Sequence, residues 1–163
     1  MKKISLKQQL FLFLFLFLIL LSLQEASFSF FIKSMLAVIA CVISDSSYSF
    51  TKTKKFKITE SSLITGLIIG FVLSSSAQWW VFIAAGLLAI SSKHVVRLKG
   101  KHIFNPAAIG IFLVVVIFNQ ATQWHGAYSW YILIPFGLYL AWRIKKAYIV
   151  FGYFLIYIFL WGI

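Results

Sequence analysis

The residues best placed to do chemistry fall in one short stretch, residues 92–110. Lys93, Arg97, Lys99 and Lys101 supply cations, His94 and His102 supply imidazoles, and Asn105-Pro106 closes the stretch. Asn is a good N-cap, and Pro is favoured at the first helical position because that N–H has no intrahelical partner anyway. A helix is therefore expected to start at Pro106, with Asn105 as its cap. Cations beside the free N–H groups of a helix N-terminus make an anion site, suited to a phosphate-bearing or redox-active anionic ligand. The competing reading is a loop that is basic because it faces the cytoplasm and touches lipid head groups. Topology alone accounts for the cations in this way, but not for Asn105-Pro106-Ala107-Ala108.

Other reactive groups are sparse. The acids are Glu25, Asp45 and Glu60, and none stands three or four residues from another acid or from a histidine. No hydrolytic constellation is visible. The one cysteine, Cys41, lies inside an apolar run and reads as a small buried hydrophobe; a Cys₄ cluster cannot be built from this chain alone. Gly66 and Gly70 form a Gly-x-x-x-Gly next to Thr65. Small residues at that spacing let membrane helices approach closely, and they also leave room for a flat ring.

The elements that must position these groups are apolar. Of 163 residues, 62% are hydrophobic and only 11% charged, the composition of an integral membrane protein. A net charge of +12 would point to nucleic acid in a soluble protein. Here the cations sit in loops between apolar runs, so they are expected to face water and anionic membrane lipid, and no nucleic-acid partner is expected. Apolar runs occupy residues 10–23, 27–44 (interrupted by Lys33), 61–73, 79–91, 107–118, 130–142 and 147–163. Polar stretches separate them, including a basic loop at 45–57 and a polar loop at 119–129. Residues 1–25 read as an N-terminal anchor helix or signal-like segment, the anchor being favoured because no small-x-small cleavage site follows. Residues 26–163 form the membrane domain.

Basic and non-basic turns alternate. The N-terminus and the turns at 52–57, 93–101 and 143–146 carry Lys or Arg; those at 24–27, 74–78 and 119–129 carry none. The positive-inside rule then gives about seven transmembrane segments in the cell inner (cytoplasmic) membrane, N-terminus inside and C-terminus outside. Lys33 is the residue that does not fit. The Pro106 run is shorter than the ~20 residues of a full crossing, so a broken or re-entrant helix is expected there. This topology splits His94 and His102 from His125, which argues against a three-histidine metal site; His94 and His102 read as interfacial residues of a basic loop.

From Glu60 onward the chain resembles a known family of membrane proteins. The matching residues are Ser61-Ser62-Leu63-Ile64-Thr65-Gly66-Leu67, Trp79-Trp80, Ser92-Lys93-His94 and, above all, Phe104-Asn105-Pro106-Ala107-Ala108-Ile109-Gly110. Their order and spacing are those of RnfD, a membrane component of the Rnf complex, and of NqrB, its counterpart in the sodium-translocating NADH:quinone reductase. The resemblance implies an all-helical fold of two inverted five-helix repeats, of which this all-α chain holds a part. It implies a flavin-associated electron-transfer subunit coupled to ion movement, with FMN or riboflavin as cofactor and other Rnf/Nqr-like subunits, or a second copy, as partners. Thr65, Gly66 and Asn105 would then face the cofactor or ion side, and Lys93, Arg97, Lys99 and Lys101 would form the cytoplasmic basic surface.

In the family an FMN is attached through a phosphodiester to a threonine on the outer side. The nearest match here is Asn119-Gln120-Ala121-Thr122, which keeps Ala-Thr but lacks the motif's serine and the upstream Asp-Gly. Thr122 is the residue that the resemblance nominates for flavin. The family's chains are longer, and the last helices of the second repeat have no counterpart here. The expectation is that the chain oligomerises, borrows a partner or has given up the pump chemistry. The alternative function is a small membrane transporter or assembly subunit that keeps the scaffold without redox chemistry.

Overall fold

The computed structural model describes residues 5–98, 101–102 and 104–161. Lys99 lies outside these residues, and Arg97 and Lys101 are described by their backbone only. The helices form where the apolar runs lie: α1 (Leu6–Gln24), α2 (Phe28–Thr53), α3 (Glu60–Val72), α4 (Trp79–Val95), α5 (Pro106–Phe118), α6 (Trp130–Arg143) and α7 (Ala147–Trp161). Four of the starts are capped by side chains. Ser5 and Gln8 make a reciprocal capping box on α1, Ser27 caps α2, Thr59 caps α3, and Asn105 caps α5 by accepting the Ala107 N–H.

Two boundaries differ from expectation. The loop foreseen from residue 45 begins only after Thr53, where Lys54 turns left-handed at φ 56°. Asp45, Ser46, Ser47 and Ser49 are helical, and Asp45 is paired across the bundle with Thr59, Lys93 and His94. Helix α4 likewise runs on to Val95, so Lys93 and His94 belong to its last turn and not to the basic loop. Cations are favoured there by the carbonyl end of the helix. What remains of the basic turn is a small antiparallel ladder of β1 (Arg97–Leu98) and β2 (Lys101–His102).

The chain divides into two compact units, Met1–His125 and Gly126–Ile163. The first holds α1–α5. Its core is the seam where α2, α3, α4 and α5 meet, filled by Ile69, Leu73, Val81, Phe82, Ile90 and Val114 with the alanines 85, 89 and 107. Close approach rests on glycine. A Cβ on Gly70 would fall 2.7 Å from Ser34 Cβ, and one on Gly66 would overlap the backbone of Val38, so both glycines face α2. Gly110 does the same for α5 against Ala89 of α4. Helix α1 joins through Phe17, whose ring lies 5.5 Å from that of Phe71. The second unit is the pair α6 and α7, joined by a turn with Lys145 at φ 59°.

Among the described residues two helices, α1 and α2, are long and apolar enough to cross a membrane; α3, α4, α5 and α7 are shorter apolar helices. At 1.5 Å per residue the 13-residue α3 and α5 reach roughly 20 Å, against ~30 Å of hydrocarbon. The seven helices of the described residues stand where seven spans were expected, but span length belongs to two of them.

Candidate functional site: a groove along α3 and α5

In the first unit the chain ends sort into two poles. At one pole Asp45 of α2 meets Thr59 at the start of α3 and Lys93 and His94 at the end of α4. The starts of α1 and α5 share that pole, since Lys7, Ser61 and Asn105 line one pocket. At the other pole the α1 end (Glu25), the α3 end (Leu73) and the segment after α5 converge. The basic residues Lys57, Lys93 and His94 therefore share one pole with the start of α1, and the non-basic segments at 24–27, 74–78 and 119–125 share the other.

Between the poles two neighbouring pockets that share Ile68 and Asn105 form a groove flanked by α3 and α5. Its half at the basic pole, about 460 Å³, is lined by Lys7, Leu10, Ser61, Thr65, Phe104 and Asn105. Its other half, about 430 Å³, is lined by Ile68, Val72, Asn105, Phe112, Val115 and Thr122. Each volume falls in the ~300–1,000 Å³ range of small-molecule sites. The groove thus brings together Thr65, Asn105 and Thr122, which lie far apart in sequence. Thr65 is buried and donates its hydroxyl to the Ser61 carbonyl at 2.8 Å. The exposed Asn105 caps α5 through Oδ1, 3.0 Å from the Ala107 nitrogen. Thr122 is exposed, its backbone held by an antiparallel bridge to Leu73 and by Gln123 N–H donating to the Val72 carbonyl at 2.8 Å. Gly66, expected on the same side, packs on α2 instead, because only glycine admits the Val38 backbone there.

Chemically, the groove suits an elongated ligand with a flat apolar body. Its basic mouth is lined by Lys7 together with Asn105 and Pro106 at the α5 start, a combination favourable to an anionic group. Its far rim has a hydroxyl on a tethered strand.

Lys93, expected on the basic surface, is turned inward. Its Nζ lies 3.0 and 3.1 Å from the two oxygens of Asp45, which is 2% exposed. His94 Nε2 lies 2.8 Å from the same carboxylate and Thr59 Oγ1 2.6 Å from it. The Tyr48 ring stacks on His94 with centroids 3.5 Å apart. A buried carboxylate needs such partners, so α2 draws Lys93 in. Sequence reasoning missed this cluster because it sought partners at helical spacing, whereas these stand 14, 48 and 49 residues away. The available signal was an acid at the edge of an apolar run, in a chain with few acids. Lys33, the misfit of the topology, donates its Nζ to the Ser75 carbonyl at 2.7 Å.

No solved structure matches this chain. Among curated proteins it is similar to the D-type subunit of the ion-translocating oxidoreductase complex of Shewanella piezotolerans, 30% identical over 109 residues, which are 61% of this chain and 31% of that one. The same component from Shewanella sediminis is 31% identical over 98 residues, 57% of this chain and 28% of that one. That from Yersinia enterocolitica is 35% identical over 66 residues, 39% of this chain and 19% of that one. The chain thus covers less than a third of the length of these relatives. The family model described as NQR2, RnfD, RnfE matches residues 2–148, nearly the whole chain and every element from α1 to the start of α7, and the protein belongs to that family.

Proposed function

We propose that this chain is a membrane subunit of a redox-driven ion-translocating complex, and that the α3–α5 groove is the face on which its cofactor lies. The observation that carries this reading is the groove itself: in a family chain, Thr65 and Thr122 line two neighbouring pockets that share Ile68 and Asn105. The basic pole faces the cytoplasm and the Thr122 pole the outer side, with the N-terminus inside and the C-terminus outside. The alternation of basic and non-basic turns supports that orientation. The exposed side of α5, with Phe112, Val116 and Ile117, meets lipid, a second copy or other subunits of the complex.

The residues present fit a flavin. Ile68, Val72, Phe112 and Val115 offer apolar walls to a flat ring, and the exposed Thr122 hydroxyl stands at the edge where a phosphodiester would attach. A flavin held there would supply one- and two-electron transfer. The chain's own part is positional. The Leu73–Thr122 bridge fixes the attachment strand, the apolar walls exclude water, and Asn105 holds the α5 start at the middle of the trough.

Expression with a flavin transferase, followed by flavin fluorescence of the denatured band and peptide mass spectrometry, tests this. FMN mass on the Thr122 peptide, lost in Thr122→Val, is the expected result. Flavin that washes off on denaturation keeps the redox reading and removes Thr122. A folded protein without flavin favours the second reading, a transporter or assembly subunit that keeps the scaffold. The missing serine and Asp-Gly around Asn119-Gln120-Ala121-Thr122 support that alternative.

A further inference from the structure

We propose that Glu25 and His125 form a proton-binding site: one exchangeable proton shared between the Glu25 carboxyl and His125 Nδ1 ties the segment after α5 to the turn between α1 and α2. The His125 side chain is fully buried, with 0% exposure. Its Nδ1 lies 2.7 Å from Glu25 Oε1 and its Nε2 3.1 Å from the Leu73 carbonyl oxygen. A carbonyl only accepts, so Nε2 must carry a hydrogen. A neutral ring protonated at Nε2 then turns a bare lone pair on Nδ1 towards the carboxyl. The 2.7 Å contact is attractive in two arrangements. Either the carboxyl is protonated and donates to Nδ1, or Nδ1 also carries hydrogen and the imidazolium faces a carboxylate. Both hold the same protons and no net charge; they differ in where one proton sits between the two atoms. Losing that proton to water leaves the Nδ1 lone pair of a buried ring facing a carboxylate, two acceptors with no hydrogen between them, and the contact loses its attraction and opens.

The surroundings make the site specific. Phe30 covers the ring, with centroids 4.3 Å apart. Among the described residues, the ionisable side chains brought here are Glu25 from the end of α1 and Lys33 from α2, whose Nζ is held on the Ser75 carbonyl. The near ends of α3, α4 and α5 bring none. Glu25, 30% exposed, gives the proton its route to water. What the closed contact holds is the strand bearing Thr122, through Gln123 N–H to the Val72 carbonyl at 2.8 Å and Ser74 N–H to the Ala121 carbonyl at 3.3 Å. Bound proton means a closed strand; rising pH releases it. The proton site requires neither a flavin nor the proposed function.

The test uses the full chain in detergent with ¹⁵N-labelled histidine. The His125 signal is identified by its loss in His125→Gln. The expected spectrum at low pH shows Nε2 protonated and Nδ1 either protonated or in a strong hydrogen bond, with one proton leaving as pH rises. In the same step, amide exchange across residues 119–125 should accelerate at least about tenfold beyond its ordinary base-catalysed increase, the weight of one charge-assisted hydrogen bond. Glu25→Gln, whose neutral amide can still donate to Nδ1, should abolish that extra acceleration. A ring protonated at Nδ1 and bare at Nε2 at every pH would overturn the proposal, as would an extra acceleration that survives in Glu25→Gln. If Glu25→Gln does not fold, the wild-type spectrum decides alone.

Discussion

Replacing Asp45 by Leu should be among the most damaging single changes in the five-helix unit. The carboxylate is 2% exposed and takes hydrogen bonds from Thr59 at 2.6 Å, from Lys93 at 3.0 and 3.1 Å, and from His94 at 2.8 Å. Without it, an ammonium 11% exposed and an imidazole 9% exposed lose their carboxylate. Breaking a buried pair from one side costs about 3–5 kcal/mol, because the remaining charge keeps its desolvation penalty. At roughly 2–4 °C per kcal/mol for a chain of this size, apparent Tm in mild detergent should fall by about 6–20 °C. Lys93→Met alone should also destabilise. The double replacement Asp45→Leu with Lys93→Met should recover part of the loss, with a coupling of ~1–3 kcal/mol, because it removes both charges and leaves apolar volume. The measurement is a double-mutant cycle by thermal unfolding at fixed pH. Additivity within ~0.5 kcal/mol, or a single-mutant shift below about 2 °C, would refute the view that a buried charge network closes the basic pole.

Other changes follow from single contacts. Gly70→Ala must displace Ser34 and should cost about 1–3 kcal/mol, whereas Gly137→Ala, with nothing within 4 Å, should be neutral or gain up to ~1 kcal/mol; paired thermal melts compare them. Asn105→Ala removes the cap on Ala107 N–H and should cost about 1 kcal/mol, restored in Asn105→Ser; unchanged thermal stability would sink the capped-helix argument. Lys33→Met frees the Ser75 carbonyl and should lower stability by roughly 1.5–3 kcal/mol, with faster amide exchange confined to residues 73–78.

Local rules read the helices well. The Asn105-Pro106 start, the apolar runs and the separation into basic and non-basic ends all depend on residues within a turn or two of each other. The structure places each helix on its run. The errors were of length: α2 and α4 extend through polar residues that a hydropathy reading assigns to loops, because Asp45, Lys93 and His94 satisfy one another across the bundle. Thr65, Asn105 and Thr122 were nominated through resemblance, and no local pattern says that they line one groove.

The sequence by itself determined where α5 begins, which ends are basic and which glycines could permit close packing, since capping, charge placement and small size are properties of single residues and near neighbours. The tertiary structure alone decided which partner each rare polar group takes. Asp45 finds Lys93 at a separation of 48 residues, Glu25 finds His125 at 100, and Gly66 turns to Val38 and away from the trough. A buried charge takes whichever donor the packing of other helices delivers, and that delivery is set by the whole bundle rather than by any stretch of chain.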